Sequence, residues 1–251
     1  MERTEEQKAN YGLIGKNISY SFSRGYFKKK FEAMELKNHV YQNFDLSSIS
    51  EFPTIFKYTK NVKGLNVTIP YKEEVMEFLS DIDDAAKKIG AVNTIKVGED
   101  GLKGFNTDAY GFKKSLEPNL KKHHQKGLIL GTGGASKAIA YVLEELGITY
   151  AFVSRSGKNN GYTYTDLTND IIKEHTLIVN CSPVGTFPDI EQKPDIPYQE
   201  INEEHLLFDL IYNPEETAFL KAGKENGATI CNGYKMLEYQ AEKSWEIWNQ
   251  K

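Results

Sequence analysis

The sequence predicts an α/β protein in which the second half of the chain forms a doubly wound parallel sheet. Short apolar runs alternate there with amphipathic helical segments, as in parallel strands joined by crossover helices. One of these runs, Gly127–Leu130, is apolar throughout, which is typical of a strand covered on both faces. It leads straight into Gly131-Thr132-Gly133-Gly134-Ala135, a glycine-rich turn that is followed by a helical pattern.

Composition and charge limit the classes of protein to which this chain can belong. At ~150 residues per domain, the 251 residues predict one large or two small domains. A net charge of −4 argues against nucleic-acid and anionic-membrane partners. No apolar run reaches the ~18 residues of a membrane span, and no secretory signal is recognisable, so we expect a cytoplasmic protein. Cys181 and Cys231 lie near no second metal ligand, so no metal site is expected.

The first part of the chain predicts a mixture of strands and helices. Met1–Asn10 is polar and is expected to be a flexible tail. Apolar residues recur at helical spacing over Arg24–Lys37, and a further helix is expected to begin at Pro70. The strands predicted around these helices are Tyr11–Gly15, Val40–Phe44 and Gly64–Thr68.

Lys72 breaks a local rule within this prediction. A helix that begins at Pro70 places Lys72 in its first turn, where the helix dipole disfavours a cation. Because residues that violate local preferences often serve function, Lys72 is a candidate for proton transfer.

The remaining elements follow from turn signals and periodicity. Val92–Val97 and Leu102–Phe105 flank an Asp-Gly pair, which predicts a β-hairpin. Amphipathic segments after Gly134 and over Tyr234–Trp248 predict two helices, the first of them ended by Gly147. The strands predicted in the second half are Gly127–Leu130, Tyr150–Val153, Leu177–Cys181, Leu206–Ile211 and Ala228–Cys231.

The glycine-rich turn has the context of a dinucleotide fingerprint, between a strand and a helix. Gly131 permits the tight turn, Gly133 lets the backbone approach a pyrophosphate, and the helix N-terminus supplies a positive dipole end. A P-loop is excluded because no Gly-Lys-Ser/Thr follows. A glycine turn that binds no ligand stays the alternative.

The residues after the second strand of this half favour NADP over NAD. An NAD site usually has an acidic residue there to hold a ribose hydroxyl, but this chain has Ser154-Arg155-Ser156-Gly157-Lys158. The Arg155 guanidinium and the Lys158 ammonium suit the 2′-phosphate of NADP. A solvated basic turn is the alternative.

Polar clusters lie at the predicted strand ends of the first half. Ser21-Phe22-Ser23 is expected to be extended, with both hydroxyls on one side. Asn66–Lys72, Asn93-Thr94 and Asn106–Asp108 add amides, hydroxyls, a cation and a carboxylate. Taken singly, these residues have structural explanations, since Thr68 and Asp108 could cap helices.

Together, the motifs resemble those of the shikimate dehydrogenases over residues 11–245. In chain order they are YGLIG…SFS, GLNVTIPYK, GAVNT, GFNTD, GTGGA, NCSPVG, DLIYNP and NGYKMLEYQA. The resemblance implies reversible NADPH-dependent reduction of 3-dehydroshikimate to shikimate, in aromatic amino-acid (chorismate) biosynthesis. It also implies a substrate domain over 1–107, a Rossmann-like nucleotide domain over 108–232, and a C-terminal helix over 233–251 that returns to the first domain.

The resemblance assigns roles to individual residues of this chain. Lys72 matches the catalytic proton donor and acceptor, and Asp108 its carboxylate partner. Ser21 and Ser23 match the pair that holds the substrate carboxylate. The other implied substrate-binding residues are Thr68, Asn93, Tyr212 and Gln240. The implied cofactor-binding residues are Gly131, Thr132, Gly133, Gly134, Ala135, Ser154, Arg155, Lys158, Leu210, Gly233 and Met236.

The chain also departs from the family pattern. Tyr20 replaces a histidine, Arg24–Lys28 replaces Pro-x-x-His-Asn, and Thr186 stands where methionine is common. The segment 157–165 is too short and too rich in Gly, Asn and Tyr for the helix usually found there, which predicts a trimmed nucleotide domain.

Two other functions stay open. A quinate/shikimate dehydrogenase that uses NAD would predict an acid where Arg155 stands. A non-catalytic NADP-binding regulator would have no reason to retain both Lys72 and Asp108. The sequence leaves open whether the chain is a monomer or a homodimer.

Overall fold

A computed structural model describes residues 8–19, 21–157 and 161–250. These residues divide into two compact units. The first unit runs up to Thr107 and includes the chain from Ala241 on, and the second is Asp108–Gln240. The functional domain boundaries stay a prediction, and the C-terminal segment of the first unit begins at Ala241. No described helix combines the length and the apolar character needed to cross a membrane.

The first unit contains a mixed six-stranded sheet in the order β2-β1-β3-β5-β6-β4. β1 pairs in parallel with β2 and β3, whereas β5 is antiparallel to both β3 and β6. The β5–β6 pair confirms the predicted hairpin. The strands are β1 Ala9–Gly15, β2 His39–Asp45, β3 Val62–Val67, β4 Asp81–Ile82, β5 Thr94–Gly98 and β6 Gly101–Phe105.

β1 begins earlier than predicted. Ala9 and Asn10, assigned from the sequence to a flexible tail, pair with His39 and Val40 of β2. The Asn10 side chain also donates to the Lys60 carbonyl at 2.7 Å. These bonds give a polar segment a place in the sheet that its composition does not indicate.

The helix predicted from Pro70 is wrong, since residues 69–73 form turns and only a short 3₁₀ helix, Glu74–Phe78, follows. An α-helix would need the Lys72 carbonyl to accept from Met76. That carbonyl accepts instead from the Val92 N–H at 2.8 Å, and the Met76 N–H donates to Glu73 at 3.1 Å. A tertiary hydrogen bond thus replaces the helical one. The α-helices before residue 107 are α1 Phe22–Ala33, α2 Phe52–Tyr58 and α3 Asp84–Ile89.

The second unit contains a five-stranded sheet that is parallel throughout, in the order β11-β10-β9-β7-β8. This is a doubly wound order, which confirms the predicted fold class. The apolar strand centres Leu128, Ile178 and Leu207 are fully buried. The strands are β7 Lys126–Leu130, β8 Thr149–Val153, β9 Leu177–Asn180, β10 Leu206–Asp209 and β11 Thr229–Cys231.

The helices Gly134–Glu145 and Ala218–Glu225 pack against strands of this second sheet. Among the described residues between Val153 and Asn169 there is one 3₁₀ turn, Tyr164–Asp166, and no α-helix, in line with the predicted trimming. The remaining helices are α4 Thr107–Leu116, α5 Gly134–Glu145, α6 Asn169–Glu174, α7 Ala218–Glu225 and α8 Tyr234–Asn249.

The end of α8 is seated on the sheet of the first unit. The Trp248 indole N–H donates to the Ile95 carbonyl at 3.0 Å, and the ring is almost fully buried. Gly64 of β3 lies directly beneath this ring, so that a Cβ there would overlap the indole. The C-terminal helix therefore depends on a glycine far away in the sequence.

Gly64→Ala should destabilise the protein, because the added methyl group collides with a ring that the core holds in place. We expect the free energy of unfolding, measured by urea denaturation, to fall by about 1–3 kcal/mol. Gly25→Ala on α1 is the matched control, since a Cβ there meets nothing within 4 Å. That control should be neutral or slightly stabilising, and equal losses in both variants would contradict the seating of Trp248.

Candidate active site

Four parallel strands of the second unit end side by side. Leu130 of β7 pairs with Val153 of β8 and with Asn180 of β9, which in turn pairs with Asp209 of β10. The loops that follow leave the sheet at one edge. The chain order of the strands reverses between β7 and β9, which is where doubly wound sheets bind ligands.

Gly131, the first residue after β7, has a conformation that requires glycine. Its φ is +111°, and its N–H donates to the Val153 carbonyl at 2.8 Å. A Cβ at this position would lie 3.3 Å from the backbone of Cys181 and Ser182. The turn thus fits closely between the loops that follow β8 and β9.

The N-terminus of α5 is open to a ligand. Its N-cap is Gly133, which supplies no side-chain cap. A Cβ on Gly133 or Gly134 would meet nothing within 4 Å, so a ligand can come close to the backbone there. The first-turn amides and the helix dipole suit an anionic group such as a pyrophosphate. The turn therefore leaves room for the pyrophosphate of a dinucleotide.

The other predicted cofactor residues lie along the same sheet edge. Ser154 is buried, and its N–H donates to the Tyr162 carbonyl at 3.0 Å, whereas the side chain of Arg155 is exposed. A Cβ on Gly233 would overlap the Leu210 carbonyl, so the start of α8 lies against the loop after β10. The predicted cofactor residues brought to this edge are Gly131, Thr132, Gly133, Gly134, Ala135, Ser154, Arg155, Leu210 and Gly233. Met236 lies in α8 with its backbone close to Gly111 of α4. Lys158 lies outside the described residues.

Asp209, the last residue of β10, ties the loop that follows it to the end of β9, a role that the sequence analysis missed. Its side chain is fully buried and accepts hydrogen bonds from Asn180 Nδ2 at 3.0 Å, from the Ile211 N–H at 3.0 Å and from Thr217 Oγ1 at 2.7 Å. Burial raises the pKa of Asp209 to about 6, although these three hydrogen bonds act in the opposite direction. Asn180 and Asp209 lie in motifs quoted above, but only their partners reveal the role.

Unlike Asp209, two other groups of this unit stay protonated near neutral pH. Burial raises the pKa of the Cys181 thiol, which makes it a poor nucleophile despite its place beside Gly131. Burial also raises the pKa of Tyr212, so its hydroxyl remains a hydrogen-bond donor. Tyr212 and Gln240 are both half-buried.

Asp108 lies in the first turn of α4 and is 3% exposed. It is therefore a residue within the helix, and the suggestion that it caps a helix is wrong. The positive end of the helix dipole favours an anionic side chain at this position.

The sequence analysis expected Ser21 and Ser23 on one extended segment, and this expectation is wrong. Only Ser21 has an extended backbone, and it is the N-cap of α1, where its Oγ accepts from the Arg24 N–H at 3.3 Å. Ser23 already belongs to the helix. The wrong expectation has a physical cause, because Ser is also a preferred N-cap residue and a helix begins at once. Tyr20 lies outside the described residues.

Two predicted substrate-binding residues, Thr68 and Asn93, and the predicted catalytic residue Lys72 lie close together near the end of β3. Thr68 follows the strand directly, and the Asn93 carbonyl accepts from the Val67 N–H at 2.8 Å. The Lys72 carbonyl is tied to Val92 as described above, so the backbone of Lys72 is anchored one residue from Asn93. With no α-helix here, the dipole argument for Lys72 falls away.

Asn93 also belongs to a buried polar cluster with Asn66, Thr94, Thr107 and Ser244. Ser244, on α8, was not predicted as a site residue. Its one sequence signal is a small hydroxyl on the apolar face of an amphipathic helix, between Ala241 and Trp248. Among the described residues there is no group of three or more His, Cys, Asp or Glu side chains that could hold a metal ion.

Comparisons with known proteins agree with this arrangement. Residues 13–95 match the family model of the shikimate dehydrogenase substrate binding domain. The chain is 38% identical to the shikimate dehydrogenase (NADP(+)) of Methanococcus vannielii, with 94% of this chain and 90% of that protein covered. It also resembles two solved structures. Shikimate dehydrogenase from Aquifex aeolicus has a TM-score of 0.86 at 33% identity, covering 99% of this chain and 94% of that one. The enzyme from Thermus thermophilus, in complex with NADP(H) and shikimate, has a TM-score of 0.84 at 28% identity, covering 96% and 93%.

The raised pKa of Asp209 predicts how the free energy of unfolding changes with pH. The unfolded carboxyl titrates near about pH 3.9, so between about pH 4 and 6 the folded chain holds a proton that the unfolded chain has lost. The contribution of Asp209 to stability therefore falls as the pH rises through this window. Relative to wild type, Asp209→Asn should gain about 2–3 kcal/mol between pH 4 and pH 7.5.

Urea denaturation across that range measures this difference. Asp170→Asn, at an exposed position on α6, is the control for the loss of a carboxylate as such. A difference between Asp209→Asn and wild type that stays constant with pH would mean that Asp209 titrates alike in both states.

Proposed function

The chain belongs to the shikimate dehydrogenase family, and we propose that it catalyses the reversible NADPH-dependent reduction of 3-dehydroshikimate to shikimate in aromatic amino-acid biosynthesis. The observation that carries this proposal is the open, glycine-capped N-terminus of α5 at the reversal point of the parallel sheet. In the same chain, Thr68, Lys72 and Asn93 lie close together in the first unit. The NADP(+) in the name of the Methanococcus relative supports the choice of cofactor.

Lys72 would handle the proton of the reaction. Bound NADPH supplies the hydride that reduces the carbonyl carbon. The Lys72 ammonium donates a proton to the forming alkoxide, so that the product is an alcohol, and in the reverse direction the amine takes that proton back. Asp108 would hold a substrate hydroxyl.

The remaining substrate-binding residues would bind the substrate and orient it. Because Ser21 Oγ accepts from the Arg24 N–H, the Ser21 hydroxyl proton can be donated to the substrate carboxylate, and Ser23 would add a second donor. Tyr212 is held protonated by burial and would donate as well. Thr68, Asn93 and Gln240 would contact ring hydroxyls. Small-molecule substrate and cofactor are the proposed partners, and monomer or homodimer as well as a cytoplasmic location stay predictions.

An activity assay of the wild-type chain decides between this proposal and the alternative functions. Shikimate and quinate would each be tested with NADP⁺ and NAD⁺ while the absorbance of the reduced nicotinamide is followed. Turnover of quinate with NAD⁺ alone would favour a quinate/shikimate dehydrogenase. Absence of turnover with every pair would leave a non-catalytic NADP-binding protein.

Lys72→Ala should lower kcat by ~10²–10⁴, the usual effect of removing a general acid, with little change in KM for shikimate. The same absorbance assay measures both constants. Lys63→Ala, which removes an exposed lysine of β3, is the matched control and should leave both unchanged. A variant in which KM rises while kcat is kept would make Lys72 a binding residue only.

Arg155→Asp should invert the cofactor preference. The guanidinium would bind the 2′-phosphate through charge-assisted hydrogen bonds, whereas a carboxylate repels the phosphate and can accept from a ribose hydroxyl. We expect the ratio of kcat/KM for NADP⁺ over NAD⁺ to fall by ~10²-fold or more. Lys221→Asp, with the same charge change at an exposed position of α7, should leave the ratio within about threefold. An unmoved ratio in Arg155→Asp would show that the adenosine binds elsewhere.

A further inference from the structure

We propose that three buried hydroxyls, those of Thr94, Thr107 and Ser244, orient the side-chain amide of Asn93, so that Asn93 presents N–H donors to the substrate. They are positioning residues, since they act on the ligand only through Asn93. The inference rests on the proposed function, because it concerns how shikimate is recognised.

The three hydroxyls form a closed cluster. Thr94 Oγ1 lies 3.1 Å from Thr107 Oγ1 and 2.8 Å from Ser244 Oγ, and the last two oxygens are 3.3 Å apart. The exposed fractions are 0% for Thr94, 1% for Thr107 and 0% for Ser244. Since water does not reach these groups, their protons must be shared within the protein.

Asn93 Oδ1 is the acceptor on which the cluster converges. It accepts from the Thr107 N–H at 2.7 Å, from Thr107 Oγ1 at 3.1 Å and from Thr94 Oγ1 at 3.2 Å. A backbone N–H can only donate, so the atom facing it must be the amide oxygen and not the nitrogen. With three donors around Oδ1, the orientation of the amide is set, and Nδ2 is its donor end.

The hydrogen bonds of the cluster can also run in one direction, from Asn66 through Ser244 and Thr94 to Asn93. Asn66 Nδ2 donates to the Asn93 carbonyl at 3.3 Å and to Ser244 Oγ at 2.9 Å. A carbonyl only accepts, so the orientation of Asn66 is fixed too, and its Oδ1 accepts from the Tyr41 hydroxyl at 2.8 Å. Ser244, having accepted from Asn66, can pass its own proton to Thr94, and Thr94 donates to Asn93.

This arrangement selects for substrate oxygens that accept. A ring carbonyl oxygen only accepts, and a ring hydroxyl that gives its proton to a carboxylate has only lone pairs left, so both match an N–H donor, whereas a turned amide would place an oxygen against them. If a hydroxyl of the cluster is removed, Asn93 Oδ1 keeps the Thr107 N–H but loses a second donor, so the amide is held in this orientation less strongly and the binding of shikimate weakens. The chemical step should change little, because the proton is handled by Lys72.

Thr94→Val and Thr94→Ser separate this role from packing alone. Valine keeps the shape and removes the hydroxyl, whereas serine keeps the hydroxyl and removes a buried methyl group. We expect Thr94→Val to raise KM for shikimate about 5- to 20-fold, with kcat within about threefold and KM for NADP⁺ unchanged. Thr94→Ser should keep KM within about twofold of wild type, although its melting temperature falls through the lost methyl contact.

Thr107→Val and Thr107→Ser repeat the comparison at a second position, and they serve in place of the first pair should Thr94→Val lack a cooperative unfolding transition. Unchanged KM in the valine variants, or an equal rise in the serine variants, overturns the inference. A wild-type chain that fails to oxidise shikimate overturns the proposed function and this inference with it. An active wild type with unaffected valine variants overturns the inference alone.

Discussion

The seating of Trp248 on Gly64 determines how this chain is organised. The indole lies where a side chain on β3 would otherwise stand, and its N–H is bonded to the backbone of β5. Its neighbours Tyr11, Phe27 and Phe31 complete an aromatic cluster. Since α8 ends in this cluster, the first unit needs both ends of the sequence, and residues 108–240 are an insertion within it.

Each unit keeps its candidate ligand loops in place with a buried polar network. In the first unit the hydroxyl cluster holds Asn93, and in the second Asp209 ties the loop after β10 to Asn180 and Thr217. Buried polar groups are costly unless they are bonded, so a network that satisfies its members disfavours other loop conformations. The raised pKa of Asp209 shows that part of this cost remains.

Structural features that depend on the local sequence pattern were predicted correctly. Features that depend on partners distant in the sequence were missed. The parallel strands were predictable because strands buried on both faces are apolar throughout, and Gly131 because its turn needs a positive φ. The helix at Pro70 was mispredicted because the bond between Val92 and Lys72 is invisible to periodicity. Asp209 and Ser244 were missed for the same reason, since a buried polar residue is understood only from its partners.

The backbone hydrogen bonds at Lys72 and Asn93 fix where these two residues lie without involving their side chains. The Lys72 carbonyl is held by Val92, the Asn93 carbonyl by Val67, and the Asn93 N–H by the Phe105 carbonyl at 3.0 Å. All of these bonds are made by main-chain atoms, so they do not depend on which side chains the two residues carry. The fold thus fixes the positions from which the side chains extend. The network around Asn93 adds a property that bonds between main-chain atoms alone do not set, which end of the side-chain amide faces the ligand.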